Sequence, residues 1–295
     1  MAVVSMTGFG RGRAADGVWS AGVEISAVNR KQYDCSALLP RGFAAALEAR
    51  VQNYVRGFVT RGSVRVGITL KPVCAAAAAS AVDQDLARQR VLGLRETAKS
   101  LGLADDISAS ALLGMEDLFS TGETPEDIEG VWCVLEAALK QAVDGLLAMR
   151  RREGEAIAAD IRARLKQLET LAAAIRERAP EVPKQHAELL RKRLAELGAG
   201  GTIIDKDALA REVALFADRC DVSEEQTRLL SHFEQAETLL SSDTPCGRAL
   251  DFLCQEFFRE INTTGSKAND LEITRNVIAF KTILEAIREQ VQNIE

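Results

Sequence analysis

Histidine and closely spaced cysteines are what this sequence has least of. Its 295 residues include two histidines and six cysteines, with no CxxC pair and no cysteine partnered with a nearby histidine. Structural zinc sites are built from such closely spaced ligands, so a zinc site is not expected. We interpret the cysteines as reduced thiols of the core, because they are scattered through a large chain. They are Cys35, Cys74, Cys133, Cys220, Cys246 and Cys254.

Long apolar runs are also missing. No stretch approaches the ~20 apolar residues that span a bilayer. The opening MAVVSMTGFGRGR has no apolar block behind a basic one. We therefore expect a cytoplasmic protein with no membrane partner. With 47% hydrophobic and 27% charged residues, the composition is that of a folded globular protein and excludes wholesale disorder.

The net charge of −6 argues against a protein that coats nucleic acid, but the charge is unevenly distributed. Residues 1–71 carry ten Lys and Arg against four acidic residues, a net +6, so the other 224 residues sum to −12. A basic lobe beside an acidic one can hold a polyanion next to carboxylate chemistry. The alternative is an arginine-bearing sheet surface that only maintains solubility.

The pattern along the chain predicts an α+β fold, with a small N-terminal mixed α/β lobe followed by a mostly helical body of long antiparallel helices. Strands are indicated within 18–39 and at 64–71, around a helix at 44–58. Further helices are predicted at 83–101, 108–118, 126–178 and 205–219, from Ser223, at 247–263 and at the C-terminus. We divide the chain into an N-terminal lobe (1–125), a long helical arm (126–204) and a C-terminal helical region (205–295).

Two predicted helix starts have recognisable caps. Asp205 provides an acidic cap for the helix at 205–219, and the Ser223 hydroxyl is expected to cap the Gln226 amide in a capping box. The C-terminal helix has apolar residues spaced alternately four and three apart, which predicts a seam that packs on a partner helix. That partner is either the long helix or another subunit. The seam comprises Ile273, Val277, Phe280, Leu284, Ile287, Val291 and Ile294.

The helix at 247–263 is amphipathic. Placed at 100° intervals, its apolar residues share one face and its polar residues the other, with Phe252 as an aromatic exception on the polar side. The predicted apolar face holds Leu250, Leu253, Cys254, Phe257, Phe258 and Ile261. The predicted polar face holds Asp251, Gln255, Glu256, Arg259, Glu260, Asn262 and Thr263.

Glu256 and Glu260 lie one turn apart, so their carboxylates can converge on a hard divalent cation. Arg259 beside them suits a phosphate oxygen. A polar loop is predicted at 264–270, where Lys267 and Asp270 add a cation and a third carboxylate. Without further information, a solvated network of salt bridges is the more common explanation of such a face.

His232 lies on the helix that begins at Ser223, with Arg228 four residues before it. A histidine there can serve as a general base or acid near neutral pH, or as a metal ligand. The alternative is a histidine that only forms a hydrogen bond at a helix contact.

The segment Gly8-Phe9-Gly10-Arg11-Gly12-Arg13 is glycine-rich, but it does not fit a dinucleotide-binding fingerprint. Arg13 stands where the third glycine is needed, and a turn and a strand are predicted to follow rather than a helix. We interpret it as a backbone that carries Arg11 and Arg13 towards phosphates, with Phe9 available for stacking. The alternative is a simple basic β-turn.

Six strings are distributed along the chain, and several are specific in both order and spacing. They are SMTGFGRGR at 5–13, EISAVNRKQYDCSALLP at 24–40, TRGSVRV at 60–66, MRRREGEAIAAD at 149–160, DVSEEQTRLLSHFEQ at 221–235, and 247–270 continuing to the terminal REQVQNIE. Together they resemble the YicC/YloC family of bacterial endoribonucleases over the full length of the chain.

The resemblance implies a cytoplasmic, metal-dependent ribonuclease, similar to relatives that assemble as ring-like hexamers and close around RNA. Where relatives read Asn-His/Gln-Arg and then an aromatic, this chain has Asn29-Arg30-Lys31-Gln32, with Tyr33 one place later. Carried over by position, the family's functional residues are Arg11, Asn29 and Arg61 in the N-terminal pattern, then Glu224, Glu225, Arg228 and His232, and then Arg248, Asp251, Glu256, Arg259, Glu260, Asn262, Ser266, Lys267 and Asp270.

We therefore expect an endoribonuclease that cuts RNA internally within a homo-oligomer, which the family resemblance implies is a hexamer. Its divalent cation, Mn²⁺ or Mg²⁺, is expected on Glu256 and Glu260 with Asp251 or Asp270. The alternatives are an RNA-binding adaptor without catalysis and a helical assembly protein that binds no nucleic acid. The catalytic set is Glu256, Glu260, Arg259, His232, Asp251 and Lys267. The RNA-binding set is Arg11, Asn29, Arg30, Arg61, Arg228, Arg248, Asn262 and Ser266.

Overall fold

The computed structural model of the chain describes residues 3–30, 32–40, 42–73, 84–104, 107–108, 112, 128–197, 206–242 and 244–295. It divides into two compact units, Gly8–Leu147 and a second made of Met1–Thr7 with Ala148–Glu295. The long helix α3 (Ile128–Arg178) contributes to both. The three-part division drawn from the sequence stays a prediction.

The first unit is built on a four-stranded sheet with the order β1-β2-β4-β3. Its strands are β1 (Gly8–Ala15), β2 (Trp19–Val28), β3 (Asp34–Leu38) and β4 (Ser63–Pro72). β1 pairs with β2 and β2 with β4 in antiparallel fashion, whereas β3 and β4 are parallel. Parallel neighbours need a crossover, and helix α1 (Ala44–Arg56) supplies it. The predicted α+β lobe, with strands around one helix, is confirmed.

The sheet has a buried inner face and an exposed outer face. Inward residues of β2 and β4, such as Ile25 and Val66, pack in one core with Leu47 of α1 and Leu139 of α3. Successive side chains of a strand alternate between faces, so the charged residues of these strands lie outward. The exposed outward cations are Arg11, Arg13, Arg65 and Lys71.

The glycines of β1 have a packing role. A Cβ on Gly10 would lie 1.9 Å from the backbone oxygen of Ala142, and one on Gly12 would lie 1.9 Å from that of Ala138. Glycine at both positions therefore lets the strand contact the α3 backbone directly. The alternative of a simple basic β-turn at 8–13 is wrong, because these residues are a regular strand.

The remaining helices are α2 (Gln84–Leu101), α4 (Glu181–Leu197), α5 (Lys206–Cys220), α6 (Ser223–Ser241), α7 (Gly247–Lys267) and α8 (Leu271–Val291). The polar loop predicted at 264–270 is wrong in its first half, because α7 continues to Lys267. The helix predicted at 108–118 and the cap at Asp205 lie outside the described residues, apart from positions 108 and 112.

The predicted capping box of α6 does not form. Val222 is the N-cap residue and makes no side-chain cap hydrogen bond, while the Gln226 amide donates to the Val222 carbonyl. Asp221 accepts a hydrogen bond from the Ser223 amide instead. A carboxylate one residue before the cap takes the place of the expected serine hydroxyl.

The predicted seam of α8 is confirmed. All seven of its apolar residues are buried in a core that also contains Leu168 of α3 and Phe257 of α7, although Ile294 lies beyond the end of α8 at Val291. The partner surfaces therefore come from the same chain.

Within the part of the chain that the structure describes, no helix is both long enough and apolar enough to cross a membrane.

The cysteines fit the predicted core role only in part. Cys220, Cys246 and Cys254 are buried, Cys35 is half-buried and Cys133 is exposed. The prediction is wrong for Cys133, which lies on the solvent side of α3. Cys74 lies outside the described residues.

Candidate active site

The candidate site lies where α6 and α7 pack against each other in the second unit. The apolar face of α7 is buried, as predicted, at residues such as Leu253 and Phe257. Glu260, three residues after Phe257, lies on the same side and is only 2% exposed. The predicted assignment of Glu260 to the solvent face is wrong, because the adjoining helix α6 covers it.

Three side chains on these helices converge. His232 of α6 and Glu256 and Glu260 of α7 each present one ligand atom, and these atoms all lie within 4.8 Å of one another. Glu256 and His232 are half-buried, whereas Glu260 is buried. Two carboxylates one turn apart on α7 thus face an imidazole across the helix contact.

His232 has an incomplete hydrogen-bonding environment. Both ring nitrogens are buried, and neither has a hydrogen-bond partner among the described residues. The ring packs edge-on against Phe257, with centroids 5.6 Å apart. A buried nitrogen without a partner costs free energy unless something binds it. The imidazole and the two carboxylates are the groups here that could hold a cation.

Burial lowers the pKa of His232 and outweighs the opposing effect of Glu256 and Glu260. The charge of Arg228 lowers this pKa further. The imidazole is therefore neutral at neutral pH, which is the form that ligates metals.

Arg228 completes the inner side of the cluster. Its Nη1 lies 3.3 Å from Glu260 Oε1, and its other terminal nitrogen pairs with Glu224 one turn earlier on α6. The charge of Glu224 and the hydrogen bond to Glu260 raise the pKa of Arg228. This arginine holds the Glu260 carboxylate in place and offsets part of the cost of burying it.

Lys267 occupies a different position from the one that the sequence suggested. Its Nζ lies 2.7 Å from Glu225 Oε1, and the Glu225 side chain is only 5% exposed. The hydrogen bond that Lys267 donates to Glu225 raises the pKa of Lys267. The second oxygen of Glu225 is buried without a hydrogen-bond partner in the described structure. Lys267 thus neutralises a buried carboxylate at the start of α6.

Asp270 and Asp251 do not join the cluster. Asp270 caps α8 by accepting from the Ile273 amide, and its Oδ2 lies 2.9 Å from Arg178 Nη2. That hydrogen bond with Arg178 lowers the pKa of Asp270. Asp251 Oδ1 lies 3.3 Å from Arg288 Nε. The spacing in the sequence predicted that both carboxylates lie near Glu256. In the structure each is paired with an arginine from another helix.

The other predicted residues of α7 lie on its solvent side. Arg259 is 68% exposed, and its guanidinium approaches Glu256 at 3.7 Å. Arg248, Asn262 and Ser266 are exposed. Ser266 Oγ donates a hydrogen bond to the Thr263 carbonyl. Arg259 is therefore the exposed cation of this helix that lies near Glu256.

The predicted N-terminal residues belong to the first unit. Arg11 pairs with Glu24 at 3.1 Å and lies over the Phe9 ring, 5.0 Å from its centroid. Arg30 pairs with Asp34 at 2.9 Å. Asn29 is exposed.

Arg61, which precedes β4, is half-buried. Its Nε is buried and has no hydrogen-bond partner within the described ranges. Sequence reasoning left Arg65 and Lys71 out of the RNA-binding set, although the alternation of β4 already placed them on the exposed side of a strand.

Comparison with known proteins gives matches along the whole chain. A family profile described as "Endoribonuclease YicC-like, N-terminal region" matches residues 3–159, and one described as "Endoribonuclease YicC-like, C-terminal" matches residues 175–295. The chain is 37% identical over 292 residues to "Probable endoribonuclease YicC" of Clostridioides difficile (strain 630), covering 99% of each chain. It is 29% identical over 297 residues to the protein of the same name from Haemophilus influenzae, covering 99% of this chain and 100% of that relative. All three residues of the convergent cluster fall within the C-terminal profile.

Proposed function

The chain belongs to the YicC-like endoribonuclease family, and we propose that it cleaves RNA internally with a divalent cation held by His232, Glu256 and Glu260. Its relatives are named probable endoribonucleases. The observation that carries the site is the pair of buried, unpartnered nitrogens of His232 beside two converging carboxylates.

The donor set favours a particular kind of cation. Carboxylate oxygens suit hard cations such as Mg²⁺ and Mn²⁺, whereas an imidazole suits transition metals. One neutral imidazole with two carboxylates therefore fits Mn²⁺ better than Mg²⁺. When bound, such a cation activates water and stabilises charge on a phosphoryl oxygen. Asp270 is not required in this set, because Arg178 and the first turn of α8 already engage it.

Two arginines have different roles in this proposal. Arg228 holds Glu260 in its ligating position. Arg259, exposed and only loosely associated with Glu256, is free to turn its guanidinium towards the scissile phosphate. With His232 committed to the cation as a neutral ligand, it moves no proton in this scheme. Lys267 acts on the fold through Glu225 rather than on the phosphate.

The outer face of the N-terminal sheet supports RNA binding by the first unit. Arg11, Arg13, Arg65 and Lys71 are exposed there, and the charges of such a surface attract phosphates. Phe9 is 38% exposed and lies in the same row as Arg65, through Ser26 of the intervening strand. An aromatic among cations on an open sheet suits the stacking of bases of a single strand.

Assembly into a homohexamer that encloses RNA remains part of the proposal. The seam of α8 gives it no support, because that seam is buried within the chain. Exposed apolar side chains on the same helix, Leu271 at 68% and Ile278 at 60%, are available for contacts between copies. Sedimentation equilibrium of the full chain tests the assembly, and a monomer at micromolar concentration would contradict it.

The test of the proposed function is cleavage of RNA labelled at either end. Wild-type protein with Mn²⁺ is expected to give internal products from both labels, and EDTA is expected to stop the reaction. Glu256→Gln and Glu260→Gln should each lower the rate at least a hundredfold, since each removes a ligand charge. Glu272→Gln, which alters an exposed carboxylate on α8, is the matched control and should cut normally.

Other outcomes identify the alternative functions. Normal cleavage by both ligand variants would exclude this site. RNA binding without any cleavage would favour an adaptor, and no binding at low salt would favour an assembly protein.

A further inference from the structure

Phe252 interrupts the polar side of α7 and is 62% exposed. It forms one wall of a groove of about 500 Å³ between α6 and α7. Ser231, Gln235 and Thr238 line the α6 side, and Ala249 and Leu253 lie next to Phe252 on the α7 side. A volume of this size falls within the ~300–1,000 Å³ range of small-molecule sites. The groove therefore combines an aromatic platform with polar edges.

The groove adjoins the candidate active site along both helices. Glu256 follows Phe252 by four residues, which is about one turn of α7. On the opposite wall, Ser231 immediately precedes His232, and Gln235 follows it by three residues. A strand whose phosphate lies at Glu256 and His232 can therefore place a neighbouring base against Phe252.

The charge of the groove selects the base rather than the phosphate. Its described lining residues include Glu234 but no lysine or arginine. A carboxylate repels phosphate oxygens, but it accepts hydrogen bonds from the exocyclic amino groups of bases. The exposed cation Arg259 lies further along α7, beyond Glu256. Along α7, the groove thus lies on one side of Glu256, and Arg259, which suits a phosphate, lies on the other.

We propose that this groove is a subsite for one unstacked nucleobase of single-stranded RNA, with Phe252 as its stacking platform. The subsite rests on the proposed ribonuclease function, which it makes more specific. A base held in the groove has left its duplex partner, so an unpaired nucleotide is needed beside the scissile phosphate. Base-paired RNA should be cut more slowly than the same sequence as a single strand.

The first experiment measures stacking without cleavage. Full-length protein in EDTA is titrated into single-stranded oligonucleotides of mixed sequence, each containing one 2-aminopurine, whose fluorescence is quenched by stacking. Wild type should quench the probe. Phe252→Ala should lose that quenching, and Phe252→Tyr should restore it. Leu215→Ala, which truncates an exposed apolar side chain on α5 that is given no part in binding or assembly, is the control and should behave as wild type.

The second experiment measures cleavage under single-turnover conditions with Mn²⁺. Removing one base stack should lower the rate at subsaturating protein about thirtyfold, the middle of the range for base–aromatic stacking. An abasic nucleotide at the position next to the cleaved bond should lower the wild-type rate by the same factor. It should not lower the Phe252→Ala rate any further. Independent losses for the two changes would overturn the stacking role.

The outcomes separate the subsite from the function on which it rests. Quenching that requires Phe252 in a protein that cuts no RNA would remove the proposed function and keep the base-binding groove. Normal cleavage with equal quenching by wild type and Phe252→Ala would remove the subsite and keep the function. Dissociation of the assembly by Phe252→Ala, with unchanged quenching, would make Phe252 a contact between copies and overturn the proposal.

Discussion

Replacing Lys267 by methionine tests whether this lysine supports the fold or contacts the substrate. The ammonium lies 2.7 Å from a carboxylate oxygen of Glu225, whose side chain is 5% exposed. Methionine keeps most of the aliphatic chain but removes the charge. The Glu225 carboxylate would then be a buried charge that has lost its ion-pair partner.

The expected loss of stability depends on how deeply each of the two side chains is buried. Breaking a fully buried ion pair typically costs about 3–5 kcal/mol. The Lys267 side chain is 35% exposed, so water can reach the vacated position and reduce the penalty. We expect the free energy of unfolding to fall by about 2–3 kcal/mol, which lowers Tm by about 5–10 °C for a domain of this size class.

A double-mutant cycle assigns the loss to the pair. In Glu225→Gln with Lys267→Met, no charge is left buried, so most of the stability lost in Lys267→Met should return. Lys184→Met removes an ion pair with Glu181 that is exposed on both sides, and it should leave Tm unchanged. The assay is urea unfolding followed by circular dichroism at neutral pH.

Two results would refute this reasoning. Lys267→Met could unfold at the same urea concentration as Lys184→Met, or the double variant could lose the sum of the two single losses. A stable Lys267→Met that fails to cleave RNA would return Lys267 to the catalytic set predicted from the sequence.

Three further predictions concern packing, pH and the cap of α8. Gly10→Ala should lower the free energy of unfolding by about 3 kcal/mol or more, because its methyl group would meet the α3 backbone, whereas Gly17→Ala in open space should be neutral in urea unfolding. Because burial lowers the pKa of His232, the unfolded chain binds a proton at low pH that the folded chain does not. In EDTA the free energy of unfolding should therefore fall as the pH drops below ~6.5. His232→Gln should flatten that dependence in unfolding midpoints measured from about pH 5 to 8. Asp270→Asn should lower Tm by weakening its bond to the arginine of α3, yet leave Mn²⁺ affinity unchanged in calorimetric titration; a tenfold weaker affinity would make Asp270 a ligand.

The features predicted correctly from the sequence are those with a strong local period. The α8 seam is an example, because alternating steps of four and three residues describe a buried helical stripe regardless of what covers it. The alternation of β4 likewise determines which of its residues face outward. Both patterns are properties of one segment alone.

The features predicted wrongly depend on contacts between distant segments. Glu260 was expected in solvent because it is charged, but Arg228 of another helix pairs with it and allows its burial. Lys267 meets Glu225, 42 residues earlier in the chain, and no local spacing indicates that contact. The close approach of the β1 glycines to α3 likewise cannot be read from the strand itself.

The most direct test of the central claim is the rate of internal RNA cleavage as a function of free Mn²⁺ concentration, compared between wild type and Glu260→Gln. If His232, Glu256 and Glu260 hold the cation, the wild-type rate rises with Mn²⁺ to a plateau, and Glu260→Gln needs at least a tenfold higher concentration to reach half of its own plateau. A wild-type rate that is independent of Mn²⁺ after treatment with EDTA, or the same Mn²⁺ dependence in both proteins, would contradict the account.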